Sequence, residues 1–256
     1  MALLEMNYMS QALARTVPVN VYLPADRFSH EKMDYFMQEG ERFKTLYLLH
    51  GLFGNYTDWV CNTRLMRYAG EKNLAVVMPS GDNAFYVNGI LPHNDYGAFV
   101  GKELVQMTRR MFPLSGKRED TFIAGLSMGG FGALRNGIKY ADTFGYVAGL
   151  SSAVHVMEEE KDNPAGEHRI FGKYLADASR GDNDLTVALE ELLKSGGELP
   201  EFYLACGLSD ELFDVNVAFR DLLKSKGAKI TWDEQKGGHE WDFWDMEIKK
   251  VIDWLP

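Results

Sequence analysis

The chain has 256 residues, of which 46% are hydrophobic and 25% are charged. This size and composition predict one folded α/β domain over residues 1–256 and exclude a disordered or fibrous protein. The net charge of −10 and the lack of any basic run longer than a pair argue against a nucleic-acid partner.

The N-terminus and the cysteines indicate the compartment. Residues 1–15 lack a basic stretch ahead of an apolar run, and no apolar stretch approaches the roughly 20 residues of a membrane span. Cys61 and Cys206 form no CxxC pair, so we interpret both as small buried hydrophobes rather than metal ligands. We predict a cytoplasmic protein with no membrane partner. A homo-oligomer is compatible with the sequence, which does not determine the oligomeric state.

The first two predicted elements are strands at residues 3–9 and 16–23, joined by a polar turn. No crossover helix separates them, so we expect them to pair antiparallel at one edge of a sheet. From residue 43 onward, short apolar runs alternate with segments of helical spacing, which indicates βα units around a mostly parallel sheet. The later strands are predicted at 43–49, 74–78, 121–124, 146–150, 202–206 and 230–232, and the helices at 100–111, 128–140, 212–222 and 241–255.

Residues 152–184 differ from this alternation. They show little periodicity, contain a run of charges at 158–162 and are rich in Gly, Asn and Asp near their end. We interpret them as an insertion within the domain that forms a cap or lid over one end of the sheet.

The pentapeptide 125–129 fits the pattern G-x-S-x-G, in which a strained turn between a strand and a helix presents a serine hydroxyl. The glycines are needed because the residues two before and two after the serine approach each other too closely for side chains. The pattern alone is weak, but here a predicted strand precedes it and a predicted helix follows it. We therefore predict that Ser127 is a nucleophile rather than a helix cap.

A serine hydroxyl is a poor nucleophile until a base takes its proton, and a third group must orient that base. Only His155, His168 and His239 follow Ser127 in the chain. His239 alone follows the last predicted strands, in a glycine-containing loop before the final helix. We predict that His239 is the base.

The acid is expected just beyond the carboxyl end of the strand at 202–206, one helix and one strand ahead of the base. Asp210 lies there, and Glu211 and Asp214 are alternatives. Capping the next helix is the other role open to Asp210. We predict that Asp210 is the acid, because the triad otherwise lacks its third member.

Ester or amide cleavage through a tetrahedral intermediate needs two N–H donors for the developing oxyanion. One donor is expected from Met128, directly after the nucleophile. The other is expected from Leu52, in the loop that follows the strand at 43–49. His50 begins this loop and precedes the nucleophile, so we interpret it as a brace for the loop rather than as a base.

Four segments together resemble a known family: HGLFGN at 50–55, GDNAFY at 81–86, GLSMGGFGAL at 125–134 and GHEW at 238–241. They are similar to the putative-esterase family of α/β-hydrolases, and the resemblance covers nearly the whole chain. It implies the α/β-hydrolase fold, a mostly parallel twisted sheet with antiparallel N-terminal edge strands, helices on both faces and a small insertion over the active site. The predicted triad and oxyanion donors fall at the family's positions.

Within that family, the chain looks most like the tributyrin and feruloyl (cinnamoyl) esterases. S-formylglutathione hydrolases usually read HGLTCT and GHSMGG, whereas this chain has HGLFGN and Leu126. The resemblance implies a serine carboxylesterase that cleaves short-chain acyl or hydroxycinnamoyl esters through an acyl-enzyme, with no cofactor and no metal. The predicted walls of the substrate pocket are Phe53, Trp59, Phe85, Tyr86 and Trp241.

Three other functions stay open at this point. An S-formylglutathione-type thioesterase and an acyltransferase would use the same triad on other substrates. A non-catalytic binding module on a hydrolase scaffold is the third, and the intact set of triad and oxyanion residues argues against it.

Overall fold

The fold is built around one eight-stranded sheet. The computed structural model describes residues 2–26, 40–89, 92–156 and 183–256. The strands are β1 (Ala2–Ser10), β2 (Arg15–Leu23), β3 (Thr45–Leu49), β4 (Ala75–Pro79), β5 (Thr121–Leu126), β6 (Tyr146–Leu150), β7 (Glu201–Gly207) and β8 (Ile230–Gln235). Their order across the sheet is β1-β2-β4-β3-β5-β6-β7-β8.

The helices connect these strands. They are α1 (Asp58–Asn62), α2 (Leu65–Glu71), α3 (Tyr96–Ala98), α4 (Leu104–Met111), α5 (Met128–Lys139), α6 (Leu185–Lys194), α7 (Phe213–Ser225) and α8 (Trp241–Trp254). A π-helical segment, Phe99–Glu103, joins α3 to α4, and short 3₁₀ turns cover Pro24–Asp26 and Arg118–Asp120.

The N-terminal strands form the antiparallel edge. β1 pairs with β2 along its whole length, from Ala2 opposite Leu23 to Ser10 opposite Arg15, and β2 pairs antiparallel with β4. Every later pairing is parallel. The predicted mostly parallel sheet with an antiparallel N-terminal edge is confirmed.

The inner strands are buried on both faces. Every residue of β3, β4 and β5 is buried, which is why these strands appear in the sequence as unbroken apolar runs. In β5 the side chains alternate: Phe122 and Ala124 pack against α1, α2 and α8, whereas Ile123 packs with α3 to α7 on the other face. Helices therefore cover both faces, as predicted.

Several local predictions needed correction. The helix predicted at 100–111 begins earlier, at Tyr96, and passes through the π-helical segment. Phe43 forms an isolated bridge with Leu114 instead of starting β3. Three short helices, α1, α2 and α6, were not predicted, because segments of five to ten residues carry too few turns for a clear apolar stripe.

The insertion predicted at 152–184 falls largely on residues 157–182, which lie outside the described residues, so its role as a cap or lid stays a prediction. At its end, the Asp184 carboxylate accepts the backbone N–H groups of Thr186 and Val187 and caps α6.

The topology places the ends of five strands together. Because β3, β5, β6, β7 and β8 run parallel, the loops that leave their carboxyl ends meet at one edge of the sheet. These loops, together with Met128 at the start of α5, carry every residue predicted for the triad and the oxyanion hole. Across the four described ranges, no helix has the length and apolar character needed to cross a membrane.

Candidate active site

The turn between β5 and α5 holds Ser127 in a strained backbone conformation, with φ of 52° and ψ of −118°. The Ser127 N–H donates to the carbonyl of Leu150, 2.9 Å away, which ties the turn to β6. A non-glycine residue with positive φ is costly and persists only where its surroundings enforce it. The serine side chain is thereby presented at the edge of the sheet, although only 9% of the residue is exposed.

Two glycines make this turn sterically feasible. A Cβ atom on Gly125 would lie 2.2 Å from the carbonyl oxygen of Gly129, and one on Gly129 would lie 2.5 Å from the carbonyl oxygens of both Leu49 and His50. Backbone atoms on each side leave no room to relax. The G-x-S-x-G spacing is therefore required by contacts within the turn and by its contact with the end of β3.

We expect Gly129→Ala to lower the free energy of unfolding by about 2–3 kcal/mol, because the added methyl group overpacks against backbone. Esterase activity would fall with it, since the displaced atoms support the nucleophile. Gly116→Ala is the matched control, because nothing lies within 4 Å of its added Cβ. Urea unfolding of both variants tests this; equal stability of the two would contradict the steric argument.

The structure brings the three predicted triad residues together. His239 Nε2 lies 2.9 Å from Ser127 Oγ, and His239 Nδ1 lies 3.0 Å from Oδ2 and 3.2 Å from Oδ1 of Asp210. The three side chains come from the loops after β5, β7 and β8. This series of hydrogen bonds allows the imidazole to accept the serine proton while the carboxylate holds the ring in position.

The Asp210 side chain is fully buried. Burial alone would raise the pKa of this carboxyl group, but hydrogen bonds from His239 and from the Leu212 N–H, together with the nearby Ser151 hydroxyl, hold the pKa below its usual value. Asp210 therefore carries a negative charge, and the bond from Leu212 N–H, at 2.9 Å, shows that it also caps the turn that follows. Of the two alternatives, Glu211 lines the cleft and Asp214 lies in the first turn of α7.

A contact that the sequence did not predict supports the imidazole. The ring of Trp244 meets the ring of His239 edge to face, with centroids 4.9 Å apart. The indole N–H of Trp244 donates to Ser151 Oγ at 3.2 Å, which fixes the indole in turn. Trp244 follows Trp241 by one helical turn, so its place on the buried face of α8 was predictable, whereas its contact with His239 was not.

The predicted oxyanion donors lie beside the nucleophile. Met128 is the first residue of α5, where a helix leaves its N–H groups without an intrahelical acceptor. Leu52 follows Gly51, and a Cβ atom on Gly51 would lie 3.6 Å from Ser127 Cβ, so this loop runs directly alongside the serine. Among the described residues, no acceptor pairs with the Leu52 N–H.

Side chains hold that loop in place. The His50 Nε2 accepts the N–H of Gly81 at 2.8 Å, and the His50 Nδ1 lies 2.7 Å from the carbonyl of Gly51. Burial lowers the pKa of His50, so its ring is neutral, with Nδ1 as the donor and Nε2 as the acceptor. The Asn83 side chain accepts the N–H of Phe53 at 2.8 Å. Both His50 nitrogens are occupied, which supports the interpretation of His50 as a brace.

A cleft of about 440 Å³ opens above the serine. Phe53, Phe85 and Trp241 line it, as predicted for walls of the pocket. The complete lining is Gly51, Leu52, Phe53, Asp58, Phe85, Leu126, Ser127, Ala153, His155, Val156, Glu211, Leu212, His239, Trp241 and Trp244.

The prediction that Trp59 and Tyr86 line the cleft was wrong. Trp59 is only 1% exposed; its indole N–H donates to the carbonyl of Leu49 and its ring packs beneath Trp241. Tyr86 is fully buried and donates its hydroxyl to the carbonyl of His50. Both rings lie behind the cleft, because their polar atoms donate to carbonyls at the end of β3 and at the start of the loop that follows it.

The cysteines divide between surface and core. Cys206 is buried, and burial raises the pKa of its thiol to about 12. Cys61 is exposed, so its interpretation as a buried hydrophobe was wrong; it lies at the fourth position of the short helix α1, on the side away from the core. In the parts of the chain that the structure describes, no group of three or more His, Cys, Asp and Glu side chains could hold a metal ion.

The sheet order, the strained serine turn and the hydrogen-bonded serine, histidine and aspartate at the carboxyl edge together define an α/β-hydrolase of the serine-hydrolase class. The family model named Putative esterase matches residues 10–254. The chain belongs to this family, and the predicted resemblance is confirmed.

Similar proteins agree with that assignment. The chain is 36% identical to an acetyl esterase of Caldicellulosiruptor saccharolyticus, and the match covers 100% of this chain and 98% of that protein. The crystal structure of S-formylglutathione hydrolase (FrmB) from Staphylococcus aureus superposes with a TM-score of 0.84 at 29% identity, covering 99% of this chain and 98% of that one. A ferulic acid esterase from Anaeromyces mucronatus shares the fold, with a TM-score of 0.69 at 16% identity over 99% and 90% of the two chains.

Proposed function

We propose that this protein is a serine carboxylesterase that hydrolyses short-chain acyl esters through an acyl-enzyme intermediate. The observation that carries the proposal is the series of hydrogen bonds from Ser127 through His239 to the buried Asp210. Ser127 and His239 line a cleft, beside the backbone N–H groups of Leu52 and Met128. Membership of the esterase family supports it.

In the acylation step, Ser127 Oγ attacks the ester carbonyl carbon while His239 Nε2 accepts the hydroxyl proton. The carbonyl oxygen becomes an oxyanion and accepts hydrogen bonds from the backbone N–H groups of Leu52 and Met128. The imidazolium then gives its proton to the alcohol oxygen as the bond between acyl carbon and alcohol oxygen breaks. Asp210 stabilises the imidazolium and keeps Nδ1 as the protonated nitrogen before the reaction.

In the deacylation step, water takes the place of the alcohol. His239 accepts a proton from the water, and the resulting hydroxide attacks the acyl carbon. The second tetrahedral intermediate collapses, the proton passes to Ser127 Oγ, and the free carboxylic acid leaves. Every proton transfer uses the same nitrogen, so the chain needs no further group for this chemistry.

The acyl preference rests on the cleft and on the relatives. Apolar walls from Phe53, Phe85 and Trp241 suit an acyl chain or an aromatic ring, and a volume of about 440 Å³ admits either. The relative at 36% identity is an acetyl esterase, whereas the ferulic acid esterase shares only the fold. We therefore place acetyl and butyryl esters first and hydroxycinnamoyl esters second.

A thioesterase is the second candidate function. The observation in its favour is the match at 29% identity to a structure named as an S-formylglutathione hydrolase. An acyltransferase with the same triad is the third, and adding an alcohol acceptor to the assay would reveal it by its product.

Rates for p-nitrophenyl acetate, p-nitrophenyl butyrate, methyl ferulate and S-formylglutathione, measured side by side, test the proposal. We expect acetate and butyrate esters to be turned over fastest, and the Ser127→Ala protein to serve as the blank. Faster turnover of S-formylglutathione would establish the thioesterase instead. Turnover of no ester, or turnover that survives in Ser127→Ala, would refute the esterase proposal.

The cytoplasmic location, the homo-oligomer and the cap at 152–184 stay predictions of the sequence. Gel filtration with light scattering would determine the oligomeric state.

A further inference from the structure

Two carboxylates line the candidate active-site cleft, and they come from opposite sides of the nucleophile. Asp58 is the first residue of α1 and follows the loop after β3, whereas Glu211 lies in the loop after β7. In the sheet, β3 lies on one side of β5 and β7 lies on the other, beyond β6. A substrate bound at Ser127 therefore has one acidic side chain toward each flank.

The Asp58 carboxylate is held in place. Its Oδ1 accepts the N–H of Asn55 at 3.2 Å, and the Asp58 N–H donates to the carbonyl of Asn55 at 3.2 Å. A Cβ atom on Gly54 would lie 2.0 Å from the Asp58 Oδ2, so this oxygen occupies the space where a side chain at position 54 would begin. The residue is half-buried, so its charge is less screened than that of a surface carboxylate.

No cation offsets these charges in the part of the cleft that the structure describes. Neither Asp58 nor Glu211 forms an ion pair with a described residue, and the lining there contains no lysine or arginine. The chain as a whole carries a net charge of −10, and the sequence from 157 to 182 accounts for seven of its carboxylates and four of its lysines and arginines. A cleft bounded by one sign of charge focuses the field on whatever enters it.

We propose that Asp58 and Glu211 are specificity-determining residues that select neutral and cationic esters and reject anionic ones. This inference rests on the proposed esterase function. It names the substrate class by charge: an ester with a carboxylate near the scissile bond is repelled, and an ester with an ammonium group there is attracted. A glutathione thioester carries two carboxylates and one ammonium group, so it is anionic overall and falls in the rejected class.

Three aryl acetates of similar shape test the proposal. They carry a carboxamide, a carboxylate or a trimethylammonium group at the para position, and kcat/KM is measured at about pH 8, where an ordinary imidazole is neutral. Because each ester is compared with itself between protein variants, differences in leaving-group reactivity cancel. The neutral carboxamide corrects for any change in the oxyanion hole that affects all three esters.

We expect Asp58→Asn to lower the ratio of kcat/KM for the cationic ester over the anionic ester by about three- to tenfold, as removing one nearby charge in a partly solvated cleft predicts. Asparagine keeps the side-chain oxygen that accepts the Asn55 N–H. Glu211 is exposed, so we expect Glu211→Gln to lower the same ratio by about two- to threefold. Raising the salt from about 0.02 M to about 0.5 M is expected to lower the wild-type ratio as well.

Glu119→Gln is the matched control. It removes one exposed carboxylate just before β5, at the opposite end of the strand from the nucleophile, and we expect it to leave the ratio unchanged. If the ratio stays within about twofold of wild type in both cleft variants, the charge selection is overturned. If the neutral ester is not hydrolysed, or is hydrolysed equally by Ser127→Ala, the esterase proposal fails and this inference fails with it. Neutral turnover that depends on Ser127, with an unchanged ratio, overturns the inference alone.

Discussion

Replacing Ser127 with alanine is expected to lower kcat for p-nitrophenyl acetate by about 10⁵- to 10⁶-fold, the range seen when a serine hydrolase loses its nucleophile. The Ser127 hydroxyl lies 2.9 Å from the base that activates it, so it is the group placed to form the acyl-enzyme. His239→Ala is expected to cost nearly as much. The double variant should be no worse than either single one, because the two residues act as a unit.

The measurement is kcat and KM for the two single variants and the double variant, with circular dichroism to verify the fold. Ser225→Ala is a suitable control, since this exposed serine lies at the end of α7, remote from the cleft. We expect the KM of each variant to change less than its kcat, because the cleft walls remain. Effects of Ser127→Ala and His239→Ala that multiplied in the double variant would show that the residues act independently, contrary to the hydrogen-bonded chain.

Asp210→Asn is expected to lower kcat by about 10³- to 10⁴-fold near neutral pH, for a reason of proton placement. The Asp210 carboxylate accepts a hydrogen bond from His239 Nδ1–H, which leaves Nε2 free to accept the serine proton. An asparagine amide can turn its NH₂ group toward Nδ1 and favour the tautomer that carries its proton on Nε2. In that tautomer the imidazole cannot act as the base.

Asp214→Asn is the control for this variant, because Asp214 lies in the first turn of α7, was an alternative acid in the sequence, and is exposed. We expect its kcat to stay within about threefold of wild type, as is typical of surface substitutions. Comparable losses in Asp210→Asn and Asp214→Asn would remove Asp210 from the role of acid.

Asp210→Asn is also expected to have a pH-dependent effect on the free energy of unfolding. Because hydrogen bonds lower the pKa of Asp210 in the folded protein, its ionised form stabilises the fold at pH values above the ordinary pKa of an aspartate, and this contribution is lost as the pH falls through the lowered folded value. The difference in free energy of unfolding between wild type and Asp210→Asn should therefore be constant near neutrality and shrink in acid. Urea unfolding at several pH values measures it, and a difference that grew toward acid would have the wrong sign.

Several features of this protein were determined by the sequence itself, because their signals are local. The strands β3 to β7 are short runs of buried apolar residues, and α5, α7 and α8 carry apolar side chains at helical spacing. Gly125 and Gly129 indicate the geometry of the turn at Ser127 directly, because a residue with a side chain would clash with backbone at either position. His239 was predicted as the base because it alone among the histidines follows the last predicted strands. Asp210 was predicted as the acid because it lies just beyond the end of the strand at 202–206.

Other features were decided only by the tertiary structure. In the sequence, nothing separates the aromatic residues Trp59 and Tyr86 from Phe53 and Phe85. Trp59 and Tyr86 nevertheless lie behind the cleft, because their polar atoms donate to carbonyls at the end of β3 and at the start of the loop that follows it. The contact between the rings of His239 and Trp244 is another example, because it depends on how α8 packs against the sheet.

The charge of the cleft is likewise a tertiary property. Asp58 and Glu211 lie 153 positions apart and carry no motif, and only the parallel order of β3, β5 and β7 brings both to the nucleophile. Local periodicity therefore determines which elements form, because it depends on neighbours along the chain. The surroundings of each side chain depend on which strand ends the sheet places side by side.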